Sequence, residues 1–144
     1  MTIFYRQLAS VDASVSDLEN VDVELAMKPL LAAYYVEEQV TEDYRHKMGE
    51  WLRRYIKRVQ EDDSSNEERA SSMNAVNPKY VLRNYLAQLA IDASEKGDHN
   101  LVNELLEVLR RPYDEQPEKE SQFYQKRPDW ARSRAGCSML SCSS

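Results

Sequence analysis

NPKYVLRNYLAQLAIDASEKGD, residues 77–98, and the helical segment after it decide the fold of this chain. The pattern predicts a helical hairpin. Asn77 is a good N-cap, because its side-chain oxygen can accept from an orphan amide of the first turn. Pro78 then falls at the first helical position, where its missing N–H costs nothing and its fixed φ suits a helix. Leu82, Tyr85, Leu86, Leu89 and Ala93 recur at helical spacing and form one apolar face. Gly97 is the stop, since glycine accepts the left-handed conformation that follows many helices. Asp98 can cap the next helix, where Leu101, Val102, Leu105, Leu106 and Leu109 form a second stripe. Two amphipathic helices joined this tightly are expected to lie antiparallel and bury their stripes together.

Upstream, the chain reads as further helices. Residues 1–10 (MTIFYRQLAS) suit a short amphipathic helix with Ile3, Phe4 and Leu8 on one side. The next ten residues are polar and loop-like, with Ser14, Ser16 or Asp17 able to cap a second helix. Val23, Leu25, Ala26, Leu30 and Leu31 suggest that helix, which Pro29 would kink or split. Thr41 to Gln60 is the clearest upstream helix: Thr41 is a natural cap, and Met48, Trp51, Leu52, Tyr55, Ile56 and Val59 keep the period. Gly49 weakens it, since an interior glycine costs roughly 1 kcal/mol against alanine. Glu61 to Arg69 (EDDSSNEER) reads as an acid-rich connector leading into another short helix. No run alternates at period two, so a sandwich or barrel is implausible. The expectation is an all-α fold, a small helical bundle over residues 1–111.

Past Arg111 the character changes. Pro112, Pro117 and Pro128 break any continuous helix, and acidic residues keep the segment in water. Tyr113, Phe123, Tyr124 and Trp130 are spaced along it. Residues 112–144 therefore read as an extended, Cys-containing tail that wraps over a larger body on aromatic anchors; a disordered tail is the plainer alternative.

Composition narrows the function classes. The chain has 144 residues, 42% hydrophobic and 31% charged, with a mean hydropathy of −0.73. No stretch approaches the ~20 apolar residues of a membrane span, and MTIFYRQLAS lacks the basic-then-apolar pattern of a signal peptide. The default expectation is a cytoplasmic protein without a membrane partner. A net charge of −6 opposes binding to a phosphate backbone, and Arg53-Arg54 and Arg110-Arg111 are flanked by acids, so nucleic acid is not an expected partner.

No catalytic constellation emerges. A phosphate-cradling loop needs several glycines close together, yet Gly49, Gly97 and Gly136, the three present, lie far apart. Kinase signatures are missing: there is no glycine-rich loop before a strand lysine, no H-R-D-like loop and no D-F-G-like turn. His46 and His99 have no metal-site spacing with the two cysteines. The expectation is no catalytic, cofactor-binding or metal residue in this chain.

Three blocks carry a family resemblance: NPKYVLRNYLAQLAI, LRRPYDEQP (Leu109 to Pro117) and the ending RPDWARSRAGCSMLSCSS. Together they resemble the C-terminal part of the selenoprotein O family, with the similarity densest from Met73 onward. That resemblance implies a kinase-like protein that uses ATP and Mg²⁺ to place AMP on Ser, Thr or Tyr hydroxyls of other proteins. It also implies that the nucleotide and metal sites lie upstream of the matched region, since family members are several times longer. The expected partners are that upstream kinase-like lobe and, for the whole protein, its protein substrates. No residue here inherits a catalytic role.

Cys137 and Cys142 are the redox candidates. An exposed thiol on a mobile tail oxidises reversibly, and the resemblance suggests a redox-responsive terminus, with a disulfide to the missing lobe as one option. Two inert cytosolic thiols are the plainer reading. Asn77, Arg83 and Asn84 are interface candidates beside the apolar stripe; Arg83 offers a fork to the carboxylates of Asp114 and Glu115. The function these readings imply is the C-terminal structural and redox-regulatory part of a protein adenylyltransferase. A free-standing, non-catalytic helical binding module or truncated paralogue is the alternative.

Overall fold

The computed structural model describes residues 2–17, 22–36 and 40–137, and among these every regular element is helical, with no strand. The all-α expectation holds. The chain divides into two compact units, Met1–Asn77 and Pro78–Ser144.

The first unit is built from α1 (Thr2–Ala9), α2 (Val23–Leu31), α3 (Glu42–Gln60) and α4 (Asn66–Val76). Its core gathers Leu8, Val11, Met27, Leu30, Leu52, Ile56 and Val59. The fully buried members come from α1 and the residues just after it, α2 and α3, while α4 adds the partly buried Met73. Thr41 caps α3 as expected, its hydroxyl accepting from Tyr44 N. Ser65 caps α4 in a reciprocal box: its hydroxyl accepts from Glu68 N while Glu68 accepts from Ser65 N. The cap of α2 is Asp22, which accepts from Leu25 N, rather than Ser14, Ser16 or Asp17. Asp12 explains part of that difference, because its carboxylate already holds Ser14 N and Ser14 Oγ in a local turn. Pro29 lies inside α2, which ends at Leu31. Gly49 is buried, and a β-carbon there would collide with the side chain of Val23. The interior glycine therefore serves close approach of α2 to α3.

The second unit holds the hairpin, α5 (Asn84–Ser94) and α6 (Asn100–Arg110), followed by α7 (Pro117–Phe123) and a 3-10 turn at Asp129–Arg132. Gly97 takes φ +84°, and Asp98 N donates to Ala93 O across it at 3.0 Å, which closes α5 as the sequence predicted. Asp98 also accepts from Asn100 N at 3.0 Å, although His99 occupies the N-cap position itself.

The beginning of the central helix corrects the sequence reading. Asn77 does not cap α5; it ends α4, where its Nδ2 donates to Met73 O at 2.8 Å. Pro78 to Arg83 are non-helical, and α5 starts at Asn84. The cause is tertiary: Lys79 N and Tyr80 N both donate to Pro112 O, at 2.7 and 3.0 Å, so their amides face a distant carbonyl. Leu82 is consequently exposed rather than part of the stripe. The buried stripe is Tyr85, Leu86 and Ala90 on α5, with Leu105 and Val108 on α6.

Residues 112–137 form a packed helix and turn rather than an extended path. Phe123, the last residue of α7, and Ala131 are buried in the same core as the hairpin. Tyr124 meets Tyr80 edge-on at 6.3 Å, and Trp130 meets Tyr85 edge-on at 6.2 Å. Tyr113 is exposed.

Candidate functional site

A buried polar assembly lies where the 78–83 segment meets the turn before α7. Lys79 is only 5% exposed, so its charge must be answered locally. Its Nζ donates to Glu115 Oε2 at 2.7 Å and to Glu120 Oε1, and it lies 5.3 Å from the Tyr124 ring centroid. Burial alone would push the Lys79 pKa down. The hydrogen bonds and negative charge of Glu115 and Glu120 outweigh burial, and the net shift is upward.

Tyr80 is 1% exposed, and its hydroxyl reaches the carbonyls of Glu115 and Gln116. Burial raises its pKa, with Lys79 opposing the shift. Gln116 completes the junction. It sits in the left-handed region at φ 39°, and its amide nitrogen donates to Val108 O at 3.2 Å and Arg111 O at 2.8 Å. The last carbonyls of α6 are thereby satisfied by a side chain from the following turn.

This arrangement is built to hold a segment in place. A lysine serves as nucleophile or base when it is neutral at working pH. Here two carboxylates keep Lys79 protonated, and its hydrogen bonds are spent on them. Of the two acids expected near Arg83, Glu115 accepts from Lys79, and Asp114 lies 3.7 Å from Arg111.

Arg83 is the half-buried N-cap residue of α5, where its side chain makes no capping bond, and Asn84 is exposed at the start of that helix. Asn77 belongs to the first unit. Cys137 is 4% exposed and packs in the hairpin core, so it is not the exposed thiol of a mobile tail. Cys142 lies outside the described residues. Among the described residues no group of three or more His, Cys, Asp or Glu side chains could hold a metal ion, and no helix is long and apolar enough to cross a membrane.

A second buried cation organises the first unit, and the sequence reading missed it. Arg69 of α4 donates to Leu8 O at 3.3 Å and to Val11 O, at the end of α1, and also to Tyr55 Oη and Asn66 Oδ1, each at 3.0 Å. Within a stretch read as a solvated connector, only an arginine on the side of α4 opposite its acids could have signalled this.

Comparison with known proteins identifies the kind of polypeptide that carries such a segment. Residues 2–110 match the family described as protein adenylyltransferase SelO. The protein nucleotidyltransferase YdiU of Rhodopirellula baltica is 58% identical over 149 residues, covering 100% of this chain and 27% of that relative. Its counterpart in Aromatoleum aromaticum is 51% identical over 144 residues, covering 100% of this chain and 25% of its own length. In Xanthomonas campestris pv. campestris, the counterpart is 64% identical over 97 residues, 67% of this chain. The chain thus spans about a quarter of the length of curated relatives that it matches from end to end.

Proposed function

The chain belongs to the protein adenylyltransferase SelO family, and on that premise we propose that it is the C-terminal structural part of a protein adenylyltransferase. In the whole protein, AMP passes from ATP to a Ser, Thr or Tyr hydroxyl of another protein. The chemistry, with its ATP and Mg²⁺, belongs to a kinase-like portion outside this chain. No step of the transfer is assigned to residues of this chain.

One observation carries the reading: relatives named as protein nucleotidyltransferases match this chain over its whole length while being about four times as long. The Lys79–Glu115–Glu120 and Arg69 junctions support it, because each spends its charge on holding one segment of its unit against another. A redox role for the terminus then requires the turn at residues 129–137 to open before Cys137 can react.

The test is AMP transfer from labelled ATP to an acceptor protein. The 144-residue chain alone is expected to transfer nothing. The Rhodopirellula relative is expected to label the acceptor, and to lose that activity when its matched stretch is deleted. Labelling by the chain alone, or full activity after deletion, overturns the proposal.

A further inference from the structure

α6 carries more apolar surface than its own unit buries. At roughly 100° per residue, Val108, Leu101, Leu105, Leu109, Val102 and Leu106 occupy a continuous arc of about 160° around the helix. The middle of that arc, Leu105 with Leu101 and Leu109 beside it, packs in the core with α5. On the Val108 side, α7 closes the flank, where Gln122 Nε2 donates to Glu104 Oε2 at 3.3 Å. The opposite flank is open: Val102 is 44% exposed and Leu106 48%. These two stand one turn apart on one face of the helix, so they form a strip rather than scattered exposures.

We propose that the Val102–Leu106 flank of α6 docks against an apolar surface of the polypeptide that lies outside this chain in full-length family members. This rests on the functional reading above and adds the surface through which the segment would be held. The occupant is identified by length. Three quarters of each relative lies outside the matched stretch, and the family match over residues 2–110 includes the whole of α6. An interface within one polypeptide is present at every protein concentration. A half-exposed valine and leucine beside each other on the solvent side of α6 are suited to that constant cover.

The test uses the Rhodopirellula relative carrying this segment in place of its own matched stretch, beside the 144-residue chain. Val102→Glu with Leu106→Gln keeps good helix formers, with the acid near the helix N-terminus where it is tolerated. The expected result is a Tm lowered by about 3 °C or more in the long protein and unchanged within about 1 °C in the short one. No change in the long protein overturns the proposal. So does an equal loss in both, which would make the flank part of the segment's own packing. A short chain that dimerises until the two substitutions are made, with the long protein unaffected, assigns the flank to a second copy and also overturns it. AMP transfer separates the two readings. If deleting the segment abolishes transfer while the double variant keeps its Tm, only the docking surface fails. If transfer survives deletion, the functional reading fails whatever the melting shows.

Discussion

Tyr80 donates its hydroxyl to the carbonyl of Gln116 at 2.8 Å, while Gln116 turns its own amide back onto the last carbonyls of α6. One buried phenol and one left-handed glutamine thus join the segment before the hairpin to the turn after it. The Gln116 backbone costs about 1–2 kcal/mol in that conformation, and the side-chain bonds offset it.

Substitutions at Gln116 separate those two terms. Gln116→Ala keeps the strained backbone and loses the cap, so it should destabilise the second unit by about 2 kcal/mol. Gln116→Gly loses the same bonds but relieves the strain, and should be about 1 kcal/mol less harmful. Urea unfolding followed through Trp130, in a Trp51→Phe background, reads this unit by itself. Alanine proving milder than glycine would remove the strained-junction account.

Lys79 predicts an alkaline weakness. Its folded pKa is raised above the ordinary 10.5 by Glu115 and Glu120, and that of Tyr80 is raised above 10.0 by burial. A raised pKa contributes stability that is complete below the unfolded value and is lost as pH climbs through the folded one. The second unit should therefore weaken progressively above about pH 10. Lys79→Met should flatten that decline and cost about 1–2 kcal/mol at neutral pH, a figure discounted because the two glutamates remain largely solvated. An unchanged pH profile in the variant would show that the lysine is not the group responsible.

These junctions mark the limit of what the sequence discloses. Gly97, Asp98 and the leucine spacing are local signals, and they place the hairpin turn correctly. The start of α5 is not local. Asn77-Pro78 has every mark of a helix beginning, yet Lys79 and Tyr80 answer to Pro112, Glu115 and Gln116, which lie across the whole hairpin. Val102 and Leu106 satisfied the stripe by spacing, while Val108 was left out of it. Which edge of a broad stripe is buried depends on α7, and the run of prolines made that helix hard to see. The flanking small residues of Cys137 suggested a tail because its burial is created by Phe123 and Ala131 folding back. The family resemblance was legible from sequence blocks alone, and the match over residues 2–110 bears it out.

The first unit offers two contrasting substitutions. Gly49→Ala should destabilise it although alanine favours helix, because the new methyl meets Val23; about 1–3 kcal/mol is expected, typical of an overpacked core. Arg69→Leu should cost about 2–4 kcal/mol, since it strips hydrogen bonds from the buried Leu8 and Val11 carbonyls. Val23→Ala made together with Gly49→Ala should recover most of the first loss and none of the second. Trp51 fluorescence in a Trp130→Phe background reports on this unit alone. A double variant no better than Gly49→Ala would show that contact with Val23 is not the cause.

Reactivity of Cys137 tests whether the turn at residues 129–137 is a closed cover. The thiol is buried, and the turn is fastened by Arg134 to Asp92, whose other oxygen accepts from Gln88 at 2.9 Å. Those bonds, Gln88 first and Arg134 after it, hold the Asp92 pKa below 3.8. A lowered pKa contributes stability present above the unfolded value and lost as pH falls through the folded one, so this fastening should persist at neutral pH and fail only in acid. Gly136 is the second fastening. It takes φ +79°, and a β-carbon there would strike the Gln88 side chain. In a Cys142→Ser background, alkylation of Cys137 at neutral pH should be slow and should rise at least about tenfold in mild urea, as local opening exposes it. Gly136→Ala should accelerate labelling without urea, and Arg134→Gln should do so more weakly, because its ion pair is half exposed. Equal and rapid labelling in all three proteins would mean that the turn does not protect the thiol, and that redox chemistry at Cys137 needs no opening step.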